Sequence, residues 1–287
     1  MISSHAVMTL KRGIILTLTA GLLIADAAPR ILVHGHRGAR AARPENTLPA
    51  FEYAIEAGVD VLELDLAVTK DNVLVVSHDP LMNAKLCTGP RPDAPIHQLT
   101  LREIRKFDCG ALKNAEFPNQ QSAKGTRMPT LDEVFALASK GSFEFNIETK
   151  IFLDKPLLAP SPSAFARLVV DAVRKHKLES RVIVQSFDFR TLHEVKKIAP
   201  EIRLSALYSK KPRPFVEIAA EADARIVSPH FTLVNKEQVD LAHKSGLQVI
   251  PWTANTPAEW KPLVEAGVDA IITDDPAALI AYLKNPN

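Results

Sequence analysis

The sequence predicts a closed (β/α)₈ TIM barrel, and three observations carry that prediction. From Arg30 onward, eight short apolar runs alternate with eight helical patterns, and no linker or low-complexity stretch interrupts them. The roughly 260 residues that remain after an apolar leader suit one such barrel. An open doubly wound sheet would use the same local units, but its phosphate loop is missing. Gly35 and Gly38 do not spell G-x-G-x-x-G ahead of a helix.

The leader comes first in the chain. Lys11 and Arg12 precede an apolar run over residues 13–25, and Ala25-Asp26-Ala27 offers small side chains at a cleavage position. The pattern predicts a signal peptide over 1–27 and a single mature domain over 28–287. The competing reading is an uncleaved membrane anchor, for which the run is short. Removal of the leader implies an exported protein, periplasmic or secreted, with no stable membrane association afterwards.

Strands are expected at 31–36, 60–68, 143–149, 182–186, 203–207, 224–228, 248–252 and 270–273. Helical patterns follow at 45–57, 131–139, 163–177, 189–198, 214–222, 236–244, 257–266 and 276–283. Asn235, Thr256 before Pro257, and Asp275 before Pro276 are good helix starts.

The stretch VDVLELDLAVTKDNVLVVSHDP, residues 59–80, reads as two apolar strands around the polar break 69–72. Its second strand, 73–77, is an extra antiparallel hairpin strand outside the count of eight. A two-residue turn at Asp71-Asn72 sets Asp65 opposite His78, and period-two geometry puts Glu63 and Asp65 on one face. No Lys or Arg of the hairpin is in phase to neutralise these acids. Buried carboxylates are costly without a cation, so the hairpin reads as a metal site.

Residues 80–128 break the alternation. This loop-rich insertion holds Pro90, Pro92, Pro95 and Pro118, one short helical stretch at 100–106, and the only cysteines, Cys87 and Cys109. An even count in an exported chain favours a disulfide, against two unrelated thiols. The insertion is either a lid over the active face or a loop stapled for durability.

Composition adds exclusions. With 46% hydrophobic and 24% charged residues, disorder is not expected. A net charge of +2 with scattered Lys and Arg makes nucleic acid a poor partner.

In a barrel, the C-terminal ends of the strands share one mouth. Those ends carry His36 and Arg37, Glu63 and Asp65, Glu148 and Lys150, Gln185, and Trp252, and the return strand adds His78. An all-carboxylate ligand set, Glu63, Asp65 and Glu148, favours one hard divalent cation, Ca²⁺ or Mg²⁺. Arg37 supplies a planar fork suited to phosphate. Two histidines, His36 and His78, can divide acid and base work across a phosphoryl group. The combination describes phosphodiester hydrolysis of a small molecule.

Plainer roles stand beside these. Glu148 could pair simply with Lys150, and Glu45 and Asn46 could merely start the first helix, with Glu45 orienting Arg37. Gln185 and Trp252 suit either barrel packing or, for the indole, stacking on a small substrate at the mouth. His34, one layer below His36, reads as structural, and His230 is a weaker candidate.

The motifs HRGARAARPENT at 36–47, ELD at 63–65, TKDNVLVVSHD at 69–79, IETK at 147–150, QSFD at 185–188, WTAN at 252–255 and GVDAIITDDP at 267–276 resemble the glycerophosphodiester phosphodiesterase family. The resemblance covers nearly the whole chain after the leader. It implies a (β/α)₈ barrel that hydrolyses glycerophosphodiesters to glycerol 3-phosphate and an alcohol. His36 and His78 would be the acid/base pair, Glu63, Asp65 and Glu148 the metal ligands, and Arg37 and Lys150 neighbours of the phosphate. The spacer of residues 39–43 is longer than is common in the family and leaves Arg40 and Arg43 as further anion contacts. Two other activities suit the same scaffold: a non-catalytic glycerophosphodiester-binding protein, and a phospholipase-D-like lyase with an exposed apolar rim.

Overall fold

The computed structural model describes residues 1–2, 30–152 and 155–285. All but the first two residues of the leader reading lie outside the described residues. The chain runs β1 (Leu32–Gly35), α1 (Leu48–Ala57), β2 (Val61–Val68), β3 (Leu74–Val76), α2 (Leu101–Ile104), α3 (Leu131–Phe135) and β4 (Glu144–Thr149). It continues with α4 (Pro162–His176), β5 (Val182–Ser186), α5 (Phe189–Ile198), β6 (Arg203–Tyr208), α6 (Phe215–Glu221), β7 (Ile226–Pro229), α7 (Lys236–Lys244), β8 (Gln248–Val249), α8 (Pro257–Ala266), β9 (Ala270–Thr273) and α9 (Pro276–Lys284).

Eight of the strands are parallel, in the order β8-β7-β6-β5-β4-β2-β1-β9. Backbone bonds from Asp269 to Val249 (3.0 Å) and from Ile272 to Pro251 (2.9 Å) bring the two end strands together. The result is the expected barrel. Helices cover its outside, so strands are buried on both faces, and all eight residues of β2 are buried. The main core lies between sheet and helices, and a small inner cluster, Ile183, Ile226, Ile250, Ala270 and Ile272, fills the barrel itself.

Three departures from expectation bear on the site, each for a local reason. The strand expected at 248–252 pairs regularly only over two residues, because Pro251 has no N–H to donate. Helix α1 starts at Leu48 rather than at 45, since the Thr47 side chain caps it by accepting from the Ala50 N–H. That frees Glu45 and Asn46 for other work.

The third difference is the hairpin register. Leu66, Ala67 and Val68 pair with Val76, Val75 and Leu74, one residue off the expected alignment. Asp65 therefore lies opposite Ser77, whose N–H donates to the Asp65 carbonyl at 2.9 Å. The connection has three residues, not two. Thr69 Oγ1 donates to Asp71 (2.6 Å) and accepts from the Val73 N–H (2.9 Å), while Asn72 takes a left-handed φ of +60°.

The insertion makes its own small core over this hairpin. Met82, Ile96, Leu99, Ile104, Phe107 and Met128 pack on Ala67 and Val75, and the Cys87–Cys109 disulfide closes the layer. It also grips the chain after β1. Gln120 Nε2 donates to the carbonyls of Arg40 (2.7 Å) and Arg43 (3.0 Å), and the Gln121 N–H to Ala42 (2.9 Å).

Candidate active site

The chain leaving β1 turns sharply through Arg37 and Gly38, at φ +50° and +85°. A Cβ at position 38 would stand 2.7 Å from the Ala50 backbone, so only glycine fits. This turn aims the Arg37 N–H at Glu63 Oε2, 2.9 Å away. Asn46, also left-handed, donates from Nδ2 to Asp65 Oδ2 at 3.0 Å.

Parallel pairing of β2 with β4 sets Asp65 beside Glu148. Glu63, Asp65 and Glu148 each direct a carboxylate oxygen to a common point, with those atoms within 4.8 Å of one another, and all three are buried. The cations that neutralise these acids come from outside the hairpin. Lys150 Nζ lies 3.1 Å from Asp65 and 2.8 Å from Glu148, and Arg37 Nε is 3.3 Å from Asp65. Arg37 Nη1 also donates to Glu45 at 2.6 Å, so Glu45 does orient it.

The electrostatics follow from this arrangement. Burial opposes the Asp65 charge, but Lys150 and Arg37 override it and hold the carboxyl well below the usual range. Burial and then the Asp65 charge push Glu63 well above that range. Burial also raises Glu148, to about 6, with Lys150 opposing and Asp65 assisting. Four acids, Glu45, Glu63, Asp65 and Glu148, thus face Arg37, Lys150 and, 3.9 Å from Glu45, Arg40, which leaves the cluster short of positive charge when all four are ionised. Oxygen donors with that deficit fit a hard divalent cation.

Both histidines are braced by carboxylates. His36 Nδ1 lies 2.5 Å from Asp274 Oδ1, and Asp274 in turn accepts from Asn255 Nδ2 at 2.8 Å and sits 3.0 Å from Arg40 Nε. His78 Nδ1 lies 3.1 Å from Asp79, which also accepts from Asn83. With Nδ1 committed, Nε2 of each ring is left for other partners. Burial lowers the His36 pKa, with Asp274 pulling the other way and Arg37 adding to the depression.

His36, Arg37, Glu63, His78, Glu148, Lys150, Gln185 and Trp252 all line one cavity of about 320 Å³ at the barrel mouth. Asp65 lies beneath it. Gln185 is committed within the wall, donating to Glu63 at 2.9 Å and accepting from Asn146 at 3.0 Å. The Trp252 indole donates to the Ser228 carbonyl at 2.9 Å and meets Phe187 edge-on. Arg40 lines the cavity, whereas Arg43 lies over Tyr53 outside it. His34 is buried below, next to Asn146, and His230 bonds to Thr232.

Sequence reading assigned no part to Asp274 or Asn255, and it took Asn46 for a helix start. Asp274 follows β9, at the same strand-end position as the other site residues. Because Asp275 caps α9, Asp274 is free to turn inward.

A parallel barrel whose mouth joins an acidic triad, two carboxylate-braced imidazoles and two half-buried cations defines a barrel hydrolase of phosphate esters. Residues 36–278 match the glycerophosphoryl diester phosphodiesterase family, and the chain belongs to that family. A glycerophosphodiester phosphodiesterase of Caldanaerobacter subterraneus subsp. tengcongensis is 35% identical over 255 residues, covering 89% of this chain and 98% of the relative. The crystal structure of a candidate glycerophosphoryl diester phosphodiesterase from Silicibacter pomeroyi superposes with a TM-score of 0.84 at 29% identity, covering 91% and 95% of the two chains. A phosphodiesterase of Oleispira antarctica, in complex with sn-glycerol-3-phosphate, shares the fold with a TM-score of 0.76 at 24% identity, covering 88% and 97%.

Proposed function

We propose that this enzyme hydrolyses glycerophosphodiesters to glycerol 3-phosphate and an alcohol, with Glu63, Asp65 and Glu148 holding one divalent cation, Ca²⁺ or Mg²⁺. The observation that carries the reading is the convergence of that triad and two braced imidazoles on one cavity. When bound, the cation supplies neutralisation of the non-bridging phosphate oxygens. Arg37 and Lys150, the cationic side chains of the wall, attract the phosphate, Gln185 steadies Glu63, and Trp252 offers a flat face to the glycerol.

His36, kept neutral by burial, takes the proton of the attacking water. His78, at the more open rim, gives a proton to the departing alcohol. A bond from the water oxygen to phosphorus forms as the bond to the alcohol oxygen breaks. Asp274 and Asp79 fix the ring orientations and support the charge each imidazole carries in turn. A pure binding protein has no use for two such pairs.

Product analysis on glycerophosphocholine, with and without chelator, tests this reading. Glycerol 3-phosphate and choline, lost on chelation and restored by Ca²⁺ or Mg²⁺, are expected. Full turnover in chelated protein would remove the metal assignment. We infer as well that residues 1–27 direct export and that 28–287 act as one domain, a reading that the Cys87–Cys109 bond supports. Mapping the N-terminus of the mature protein checks it.

A further inference from the structure

A passage leads away from the reaction cavity on the side of His78. A smaller cavity of about 190 Å³ shares His78, Lys150 and Phe187 with the reaction cavity, and it shares Ile151, Phe152 and Phe187 with an open groove of about 1160 Å³ beyond the ends of β5 and β6. Because His78 gives its proton to the departing alcohol, this passage is where that alcohol lies.

What the groove offers the alcohol is charge. Five Lys and Arg side chains line it, against two carboxylates. Arg190 lies 2.6 Å from Asp188, and Arg213 lies 3.0 Å from Glu221 and 3.7 Å from Glu217. Both acids of the groove are thus taken. Lys155, Lys210 and Lys211 are left over, and among the described residues none of them meets a carboxylate at ion-pairing distance. The segment that bears the last two is tied down on both sides: the Tyr208 hydroxyl donates to the Lys211 carbonyl at 2.7 Å, and the Arg213 pairs fasten it to α6. Three uncompensated amines repel a choline or ethanolamine cation and attract negative charge. A phosphate monoester answers them best, with about −1.5 to −2 of charge at pH 7 and three acceptor oxygens.

We propose that the groove receives a leaving alcohol that itself bears a phosphate monoester, so that the enzyme selects glycerophosphodiesters of phosphorylated polyols. This rests on the phosphodiester reading of the site given above. One water is consumed: its oxygen bonds to the diester phosphorus, the bond from that phosphorus to the alcohol oxygen breaks, and a proton ends on the alcohol. The alcohol's own phosphate leaves with it unchanged.

The test is glycerol 3-phosphate release from glycerophosphocholine, glycerophosphoinositol and glycerophosphoinositol 4-phosphate at one free Mg²⁺ concentration. At low ionic strength kcat/KM for the 4-phosphate should exceed that for glycerophosphoinositol about tenfold, with glycerophosphocholine the poorest of the three. At about 1 M salt, where charges are screened over about 3 Å, the ratio of the two inositol substrates should fall to about two. The double variant Lys210→Gln/Lys211→Gln should bring the low-salt ratio to about two as well, while turnover of glycerophosphoinositol stays within about twofold and the Tm confirms folding. Equal kcat/KM for the two inositol substrates in the wild type, or a preference that the double variant keeps, overturns the groove proposal and leaves the site reading intact. No glycerol 3-phosphate from any of the three substrates overturns both.

Discussion

The two halves of the barrel mouth are built from opposite chemistries. The ends of β1, β2 and β4 contribute Arg37, Glu63, Asp65, Glu148 and Lys150, a lattice in which Arg37, Asp65, Lys150 and Glu148 pair in series and Glu63 accepts from the Arg37 N–H. The ends of β5 and β6 offer Phe187, Leu207 and Tyr208 around a groove that also carries Asp188, Arg190, Lys210 and Lys211, with a Ser205–Ser228 hydroxyl pair in the strands below. A buried ionic lattice is intolerant, because deleting one member strands its partners without compensation. An apolar wall has no such constraint and can change shape at little cost. The charged half holds the groups assigned to the reaction, and each half can be perturbed alone.

The largest effect is expected at the charged half. Substituting His36 or His78 by Ala should lower turnover about 100- to 10,000-fold, with the thermal midpoint nearly unchanged. Wild-type rates in either variant would dissolve the acid/base pair. Next comes the insertion, which braces that half through Gln120 and Gln121. Replacing Cys87 and Cys109 by Ser opens a link across a sequence separation of 22. A loss of about 3 kcal/mol in the stability of the insertion is expected, read by hydrogen exchange of residues 80–128. Unchanged protection there would mean that the small apolar core holds the layer by itself.

The charged half was the more legible in sequence. Acidic residues on an apolar strand, and histidines at strand ends, break the apolar pattern and so announce themselves; Glu63, Asp65, Glu148, His36 and His78 all meet as read. What stayed hidden depends on backbone detail. The one-residue register shift comes from Asn72 closing a three-residue turn, and Asn46 was obscured by Thr47 taking the cap. Asp274 received no role from the sequence, and only its pairing over 238 positions with His36 reveals its use. The groove left no mark, because Phe187 looks like any other barrel residue until its exposure is measured.

Asp274 sharpens the comparison, since it reaches the charged half from the last strand. As a positioning residue for His36, Asp274→Asn should lower kcat about 10- to 100-fold with KM little changed. The acidic limb of the pH–rate profile should also move down, because losing the carboxylate removes what supports imidazolium at His36. An unchanged profile with a uniform loss of folded protein would make Asp274 merely structural.

The smallest effect lies one layer below, at His34, on the same barrel face as His36 but with no carboxylate against it. Burial, and secondarily the Arg203 charge, lower its pKa to about 3, and the ring accepts from Asn146 Nδ2 at 3.5 Å, as a neutral imidazole can. The unfolded chain protonates this histidine near pH 6.5. Between that value and about 3 the unfolded state therefore binds more protons, so stability is full above pH 6.5 and drains away as the pH falls. The loss assigned to His34 should reach about 2 kcal/mol by pH 5. Glu148, raised to about 6, works in the opposite direction, so the contribution of His34 is isolated by comparing two proteins. Urea denaturation of the wild type and of His34→Gln at pH 7 and pH 5 should show the variant losing about 2 kcal/mol less. Equal losses would mean that the lower layer opens to water and that the dry floor beneath the charged half is not maintained.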